Sequence, residues 1–392
     1  MSRTRWVLLA TFAAVVALLL APRSKVDGPF VPASADEVVE TVPAGGEARK
    51  AQAAGRAALR TKPDDVDAAV KLARSYLTSA RAEGNDSRLI GRAQAALGPW
   101  WAVLDAPPAV RLLRATIKQS LHDFTGARAE LDALVAANPE DAQAWLTRAT
   151  VAQVVGDYAD AEESCAALEG RAPPLVVVVC RAPLKGLRGD AAAGAASIDA
   201  AALADTPQLR SWALSVAGEL RWWAGEPAIA EEKFAEALKL DPQDDYTRGA
   251  LADLLLDAGR PAEVLTLLEG RQSNDALLLR QCLAQRAAKV ADAACPLLSA
   301  RVAATRQRGD IVHRREEARF ALHVEGDSAK ALELAEANFK VQREPADARG
   351  LLEAALAAQR PQAAAPAVEW MKTTGFQWQP LRALVAKLEG AR

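Results

Sequence analysis

A short turn-like motif recurs through this chain at nearly constant spacing, and it constrains the fold more than any other feature. Its central residues are 34, 33, 36, 34 and 67 positions apart, the last interval being two periods. A period of this length is typical of repeat proteins, in which each unit buries its apolar face against the next. The occurrences are His122-Asp123-Phe124, Gly156-Asp157-Tyr158, Gly189-Asp190-Ala191, Gly225-Glu226-Pro227, Gly259-Arg260-Pro261 and Gly326-Asp327-Ser328.

The sequence between these turns favours helices. It is rich in alanine from residue 47 onward and lacks the alternation of β-branched and polar residues that strands require. One β-like run, residues 176–179, is short and lies between prolines. Hydrophobic residues make up 51% of the chain and charged residues 25%, which is enough apolar material for a core. An all-α repeat protein is therefore expected.

A small residue stands seven positions before most of the turns, where the two helices of a unit must approach closely. Proline closes two of the units, at Pro139 and Pro242, because it cannot continue a helix. Two departures stand out, since Arg319 and Glu353 occupy this position in the last units. The unit at 275–311 also lacks a turn glycine. The small residues are Ala115, Ala149, Ala182, Gly218, Ala252 and, one register later, Cys282.

These residues resemble the tetratricopeptide-repeat (TPR) family, whose unit is a helix–turn–helix of 34 residues. The resemblance implies a right-handed α-solenoid of about nine helix pairs across residues 47–374, which begins with a lone helix over 47–61. An amphipathic capping helix is expected within residues 375–392. The likeness is specific for fold and says little about function. The clearest unit contains Ala144-Trp145, Ala149, Gly156-Asp157-Tyr158, Ala161 and Leu168 in the family's order.

The amino terminus reads as a targeting segment. Arg3 and Arg5 precede an apolar run over residues 6–21, the layout of a secretory signal or a signal-anchor. Pro22 is a poor residue after a cleavage site, so an uncleaved anchor in the inner membrane is slightly favoured over a cleaved leader and a free periplasmic protein. Residues 1–21 are thus predicted to be the signal or anchor helix and residues 22–46 a flexible linker.

The four cysteines form two candidate disulfides, Cys165–Cys180 and Cys282–Cys295. In each case the two residues flank a predicted turn at about equal distances, so they lie at the same height in an antiparallel helix pair. Export to an oxidising compartment favours bonding. The alternative is four buried thiols that act as small hydrophobic groups.

No enzyme signature accompanies the repeats. The sequence contains no G-x-S-x-G, H-E-x-x-H, G-x-G-x-x-G or G-K-[ST] motif, and it has only three histidines. No C-x-x-C occurs, so neither a metal nor a cofactor is predicted. The net charge of −2 excludes the basic field of a nucleic-acid-binding protein.

The resemblance places partner-binding residues on the concave surface formed by the first helices. An aromatic and acidic patch there suits an extended peptide or an amphipathic helix with a basic or apolar face. Trp222 and Trp223 are adjacent, so at least one of them is expected to face the groove. The predicted residues are Trp212, Glu219, Trp222, Trp223, Tyr246, Asp253 and Asp257.

The sequence therefore predicts a non-catalytic scaffold of the bacterial cell envelope that binds a protein partner. Two alternatives stay open: a periplasmic accessory subunit of an envelope assembly or enzyme complex, and a protein that binds glycans or other polymers through its tryptophans.

Overall fold

The computed structural model describes Ser34 and residues 46–82, 84, 86–201, 206–309 and 313–390. The predicted signal or anchor helix and nearly all of the predicted linker lie outside the described residues. Most of the described residues belong to one compact unit, Pro43–Val302 with Ile311–Arg392. None of the helices among the described residues is long and apolar enough to cross a membrane.

The described residues contain twenty α-helices and no strand. A lone helix α1 is followed by nine helical hairpins, α2/α3 to α18/α19, and by the carboxyl-terminal helix α20, as the repeat period predicts. The helices are α1 Glu47–Thr61, α2 Val66–Ala82, α3 Ser87–Ala96, α4 Pro108–Ser120, α5 Phe124–Ala137, α6 Ala142–Val155, α7 Tyr158–Ala166, α8 Pro174–Leu187, α9 Ala191–Asp199, α10 Pro207–Trp223, α11 Pro227–Leu240, α12 Asp245–Asp257, α13 Pro261–Leu267, α14 Asp275–Ala288, α15 Ala294–Gln307, α16 Arg314–Phe320, α17 Ser328–Phe339, α18 Pro345–Ala357, α19 Ala365–Thr374 and α20 Gln379–Gly390.

A Gly-Asp pair builds the turn in three of the hairpins, at Gly156-Asp157, Gly189-Asp190 and Gly326-Asp327. Gly156 ends α6 at φ +86°, a left-handed conformation that costs glycine nothing. Asp157 then starts α7, because its side chain accepts a hydrogen bond from the backbone N–H of Asp160 at 3.2 Å. Asp190 and Asp327 cap α9 and α17 in the same way. One residue thus closes the first helix and the next opens the second.

Small residues hold the two helices of a hairpin together. A methyl group added at Gly218 of α10 would lie 2.6 Å from the ring of Phe234 in α11, so any larger residue would push the hairpin apart. Ala149, Ala182 and Ala252 are also buried. The apolar run at residues 176–179 is helical and belongs to α8, which continues through Pro183.

The carboxyl-terminal hairpins touch helices far away in sequence. The indole N–H of Trp370 donates to the hydroxyl of Tyr158 at 2.8 Å, and that hydroxyl donates to the carbonyl of Arg343 at 3.2 Å. The backbone N–H of Arg343 donates to the carbonyl of Val154. A single hydrophobic cluster therefore includes residues from α6 to α8 and from α16 to α20.

Lys289 gives a test of the turn, because it stands in the left-handed conformation at φ +55° where other units have glycine. We expect Lys289→Gly to raise the free energy of unfolding by about 0.5–1 kcal/mol. Gly259→Ala should lower it by about 1–2 kcal/mol, since the added methyl meets no atom within 4 Å and the cost is that of the backbone alone. Urea unfolding of both variants measures this, and two shifts of the same sign would contradict the role of the turn.

Candidate functional site

The predicted patch lies on α10 and α12, the first helices of two consecutive hairpins. Pro207 and the side chain of Thr206 start α10, and the close contact between Gly218 and Phe234 fixes its position on α11. Two hydrogen bonds join α10 to α12: Thr247 donates to Ser215 at 2.6 Å, and Tyr246 donates to Glu219 at 2.6 Å. The structure therefore holds the two helices in one register.

Both adjacent tryptophans pack against the segment between α19 and α20. Trp222 meets Trp378 edge to face with 5.0 Å between ring centroids, and Trp223 meets Phe376 in the same way at 5.5 Å. Phe376 is 1% exposed and Trp378 is 4% exposed. Both tryptophans of α10 are thus half-buried against residues of the same chain. The chain fills this part of the groove with its own residues.

Trp212 also serves packing. It is half-buried against a cluster of apolar residues from α8, α9 and α10. With Trp222 and Trp223 covered as well, the polymer-binding alternative loses the aromatic surface on which it was based.

The two aspartates of α12 that belong to the predicted patch, Asp253 and Asp257, are bound by arginines of later hairpins. Asp253 accepts from Arg280 of α14 at 2.5 Å and from Arg319 of α16 at 2.7 Å. Burial alone would raise the pKa of Asp253, but the two guanidinium groups outweigh it and lower that pKa to about 2. Asp257 accepts two hydrogen bonds from Arg349 of α18, at 2.7 and 2.8 Å. The chain's own arginines thus take the place of the predicted basic ligand.

Arg349 is the centre of this contact. Besides Asp257 it binds Glu353 at 2.7 Å, and its guanidinium group lies 5.8 Å from the centroid of the Trp378 ring. Burial raises the pKa of Glu353, but the hydrogen bond with His323 and the charge of Arg349 lower it to about 2. Charges and aromatic rings of α10, α12, α18 and the segment before α20 therefore form one connected group.

Tyr246 remains accessible, and its partner Glu219 is half-buried beneath it. The ring of Tyr246 is 65% exposed, the largest exposed aromatic group among the described residues. Burial and, to a smaller extent, the nearby carboxylate of Glu344 raise the pKa of Glu219 to about 7, against the opposing effect of the Tyr246 hydroxyl. Arg315, at the start of α16, pairs with Glu344 at 3.0 Å and also approaches this pair. An exposed aromatic ring thus stands among charges of both signs.

The four cysteines form two disulfide bonds in the structure. Cys165 of α7 is bonded to Cys180 of α8 with the Cα atoms 5.6 Å apart, and Cys282 of α14 is bonded to Cys295 of α15 at 4.8 Å. The first bond ties consecutive hairpins together, and the second ties the two helices of one hairpin. Asp292 lies beside the second bond, and the three residues are the one group among the described side chains that is close enough to hold a metal ion. With both sulfurs bonded to each other, only the carboxylate could serve as a ligand.

Sequence reasoning missed the contacts between the carboxyl-terminal hairpins and the inner helices. The available signal was the pair of departures at Arg319 and Glu353, where the repeat pattern calls for a small residue. Arg319 binds Asp253, and Glu353 binds Arg349. Directly after α16 the helix widens to a π-turn over Ala321–Glu325. The fully buried Ala321 lies there and takes the place of the small residue that the repeat pattern expects at Arg319. Both departures from the repeat pattern thus belong to the long-range contact.

Comparison with known proteins adds little to these observations. No protein-family model matches the chain, and no curated protein matches it. The chain is similar to solved structures of a TPR protein from Thermus thermophilus (20% identity, 53% of this chain and 99% of that chain, TM-score 0.35). It is also similar to PilW, a type IV pilus biogenesis factor (17% identity, 71% of this chain and 98% of that chain, TM-score 0.35). A further similar structure is yeast Tom70 (13% identity, 88% of this chain and 92% of that chain, TM-score 0.31).

These scores are low, so the assignment of the fold rests on the chain's own residues. Turn glycines in the left-handed conformation recur at a period of about 34 residues. Aspartate caps follow several of them, and a buried small residue precedes them. Together these features show that the described residues form an α-solenoid of helical hairpins that resemble tetratricopeptide repeats.

Proposed function

We propose that the chain is a non-catalytic scaffold that binds a protein partner through the inner face around Tyr246. The observation that carries this proposal is the 65% exposure of the Tyr246 ring on a surface where the neighbouring aromatic residues are covered. Large aromatic side chains held in one orientation supply much of the binding energy at protein interfaces. The 2.6 Å hydrogen bond to Glu219 holds Tyr246 in this way.

The surroundings favour a particular kind of partner. Glu219 and Glu344 lie near the ring, and Arg315 is already paired with Glu344. An extended peptide or a helix with an apolar residue for the Tyr246 ring and a basic residue for the carboxylates fits this surface. Because burial raises the pKa of Glu219 to about 7, such a partner should bind more tightly above pH 7 than at pH 6.

We further propose that the scaffold belongs to a bacterial cell envelope, with its amino-terminal helix in the inner membrane and the repeats in the periplasm. The basic and apolar leader supports export. The two disulfides support an oxidising compartment, because cytosolic proteins rarely keep such bonds. A cleaved leader would leave the same repeats free in the periplasm as an accessory subunit.

The binding face can be tested with a photo-crosslinking amino acid placed at Tyr246 in living cells. We expect one adduct of discrete mass, and no such adduct from the same group at Glu232, which is exposed on the outer helix α11. Tyr246→Ala should weaken binding of the partner so identified by about tenfold or more, whereas Tyr246→Phe should keep most of it. Equal crosslinking from positions 246 and 232 would exclude this face as the binding site.

The compartment can be tested through the cysteines. Protein taken from its native cells into alkylating agent without reductant should carry no alkylated cysteine, and peptide mapping should find the pairs 165–180 and 282–295. Cys165→Ser with Cys180→Ser should lower the free energy of unfolding by about 3 kcal/mol, because each bond closes a short loop. Four freely alkylated thiols would contradict export.

A further inference from the structure

A second feature of the structure is a cavity of about 190 Å³ between α8, α9, α10 and α11. Its floor is apolar, formed by Leu175, Ile198, Ala213, Leu214 and Ala217. An apolar cavity of about 150 Å³ in a protein core takes up benzene, so this one has room for a side chain of the size of leucine or phenylalanine.

Some charged side chains at the cavity have a hydrogen-bonding or ion-pair partner, and two have none among the described residues. Asp199 binds Arg221 at 2.6 Å with one oxygen and Lys233 at 2.8 Å with the other. Arg210 and Glu236 also line the cavity, and neither has a hydrogen bond or ion pair with any residue that the structure describes. The Nε atom of Arg210 is buried without an acceptor. A buried donor of this kind costs free energy until something accepts from it.

The two groups without a described partner, the guanidinium of Arg210 and the exposed carboxylate of Glu236, lie at the same end of the cavity. Ser211 of α10 donates to the carbonyl of Ala237 of α11 at 3.0 Å, and these residues directly follow Arg210 and Glu236 in sequence. The two helices are antiparallel, so Arg210 and Glu236 lie near the same level of the hairpin, and they form no ion pair with each other. A cation and an anion that flank an apolar floor are complementary to a zwitterion with an apolar side chain.

We propose that this cavity binds a free apolar α-amino acid. Arg210 donates to the α-carboxylate, Glu236 accepts from the α-ammonium group, and the side chain lies on the apolar floor. The site is separate from the partner-binding face and does not depend on it, since none of its lining residues belongs to that face.

Titration calorimetry of the full-length protein with L-leucine tests the proposal. We expect a single site with a dissociation constant of about 1 mM or tighter. Leucinamide lacks the carboxylate, N-acetyl-leucine lacks the ammonium group and glycine lacks the side chain, so each should bind at least about tenfold more weakly. N-acetyl-leucine or leucinamide binding as tightly as leucine would overturn the assignment.

Two variants locate the site. Arg210→Gln and Glu236→Gln should each weaken leucine binding by about tenfold or more. Lys239→Gln is the matched control, because Lys239 is an exposed residue of α11 that does not line the cavity, and it should bind leucine as the wild type does. Circular dichroism checks that all three are folded. The absence of leucine binding by wild type at about 10 mM, or equal binding by the Arg210 variant, would contradict the proposal.

Discussion

The contact between the end of α10 and the segment before α20 fixes how the repeats can function. Trp222 and Trp223 meet Trp378 and Phe376 edge to face, and the two partner rings are almost completely buried. Each buried aromatic side chain removes about 150–250 Å² from water, and such pairs gain a further 0.5–1.5 kcal/mol from their geometry. In a regular solenoid each repeat contacts only its nearest neighbours. A contact between α10 and the segment before α20 therefore needs residues that are not part of the repeat pattern.

The charges around this contact depend on it. The half-buried Asp253 is paired with Arg280 and Arg319, and the more exposed Asp257 is paired with Arg349. Each pair joins α12 to a later hairpin, so these contacts favour one arrangement of the helices. The inner face is thus closed at α12 by the chain itself, and the exposed ring of Tyr246 marks the part that stays accessible.

The period of the turn motif predicts nine hairpins, and the hairpins are present because local rules act within each unit. In several units glycine ends the first helix, aspartate starts the second and a small residue lets the two helices approach. Equal distances from the turn likewise predict the bond between Cys165 and Cys180. The closure by Phe376 and Trp378 could not be predicted in this way, because the accumulated twist of many repeats decides which distant surfaces meet. The cavity at Arg210 could not be predicted from the sequence either, because a charge is known to lack a partner only when the positions of the surrounding side chains are known.

A double-mutant cycle on Asp257 and Arg349 tests the closure most directly, since the two residues are 92 positions apart and meet only if the carboxyl-terminal hairpins lie against α12. The free energy of unfolding is measured for the wild type, Asp257→Asn, Arg349→Gln and the double variant. A coupling energy of about 1–2 kcal/mol is predicted for the two hydrogen bonds between charged groups. Effects that add to within about 0.3–0.5 kcal/mol would mean that the residues do not touch, and the closed inner face would be contradicted.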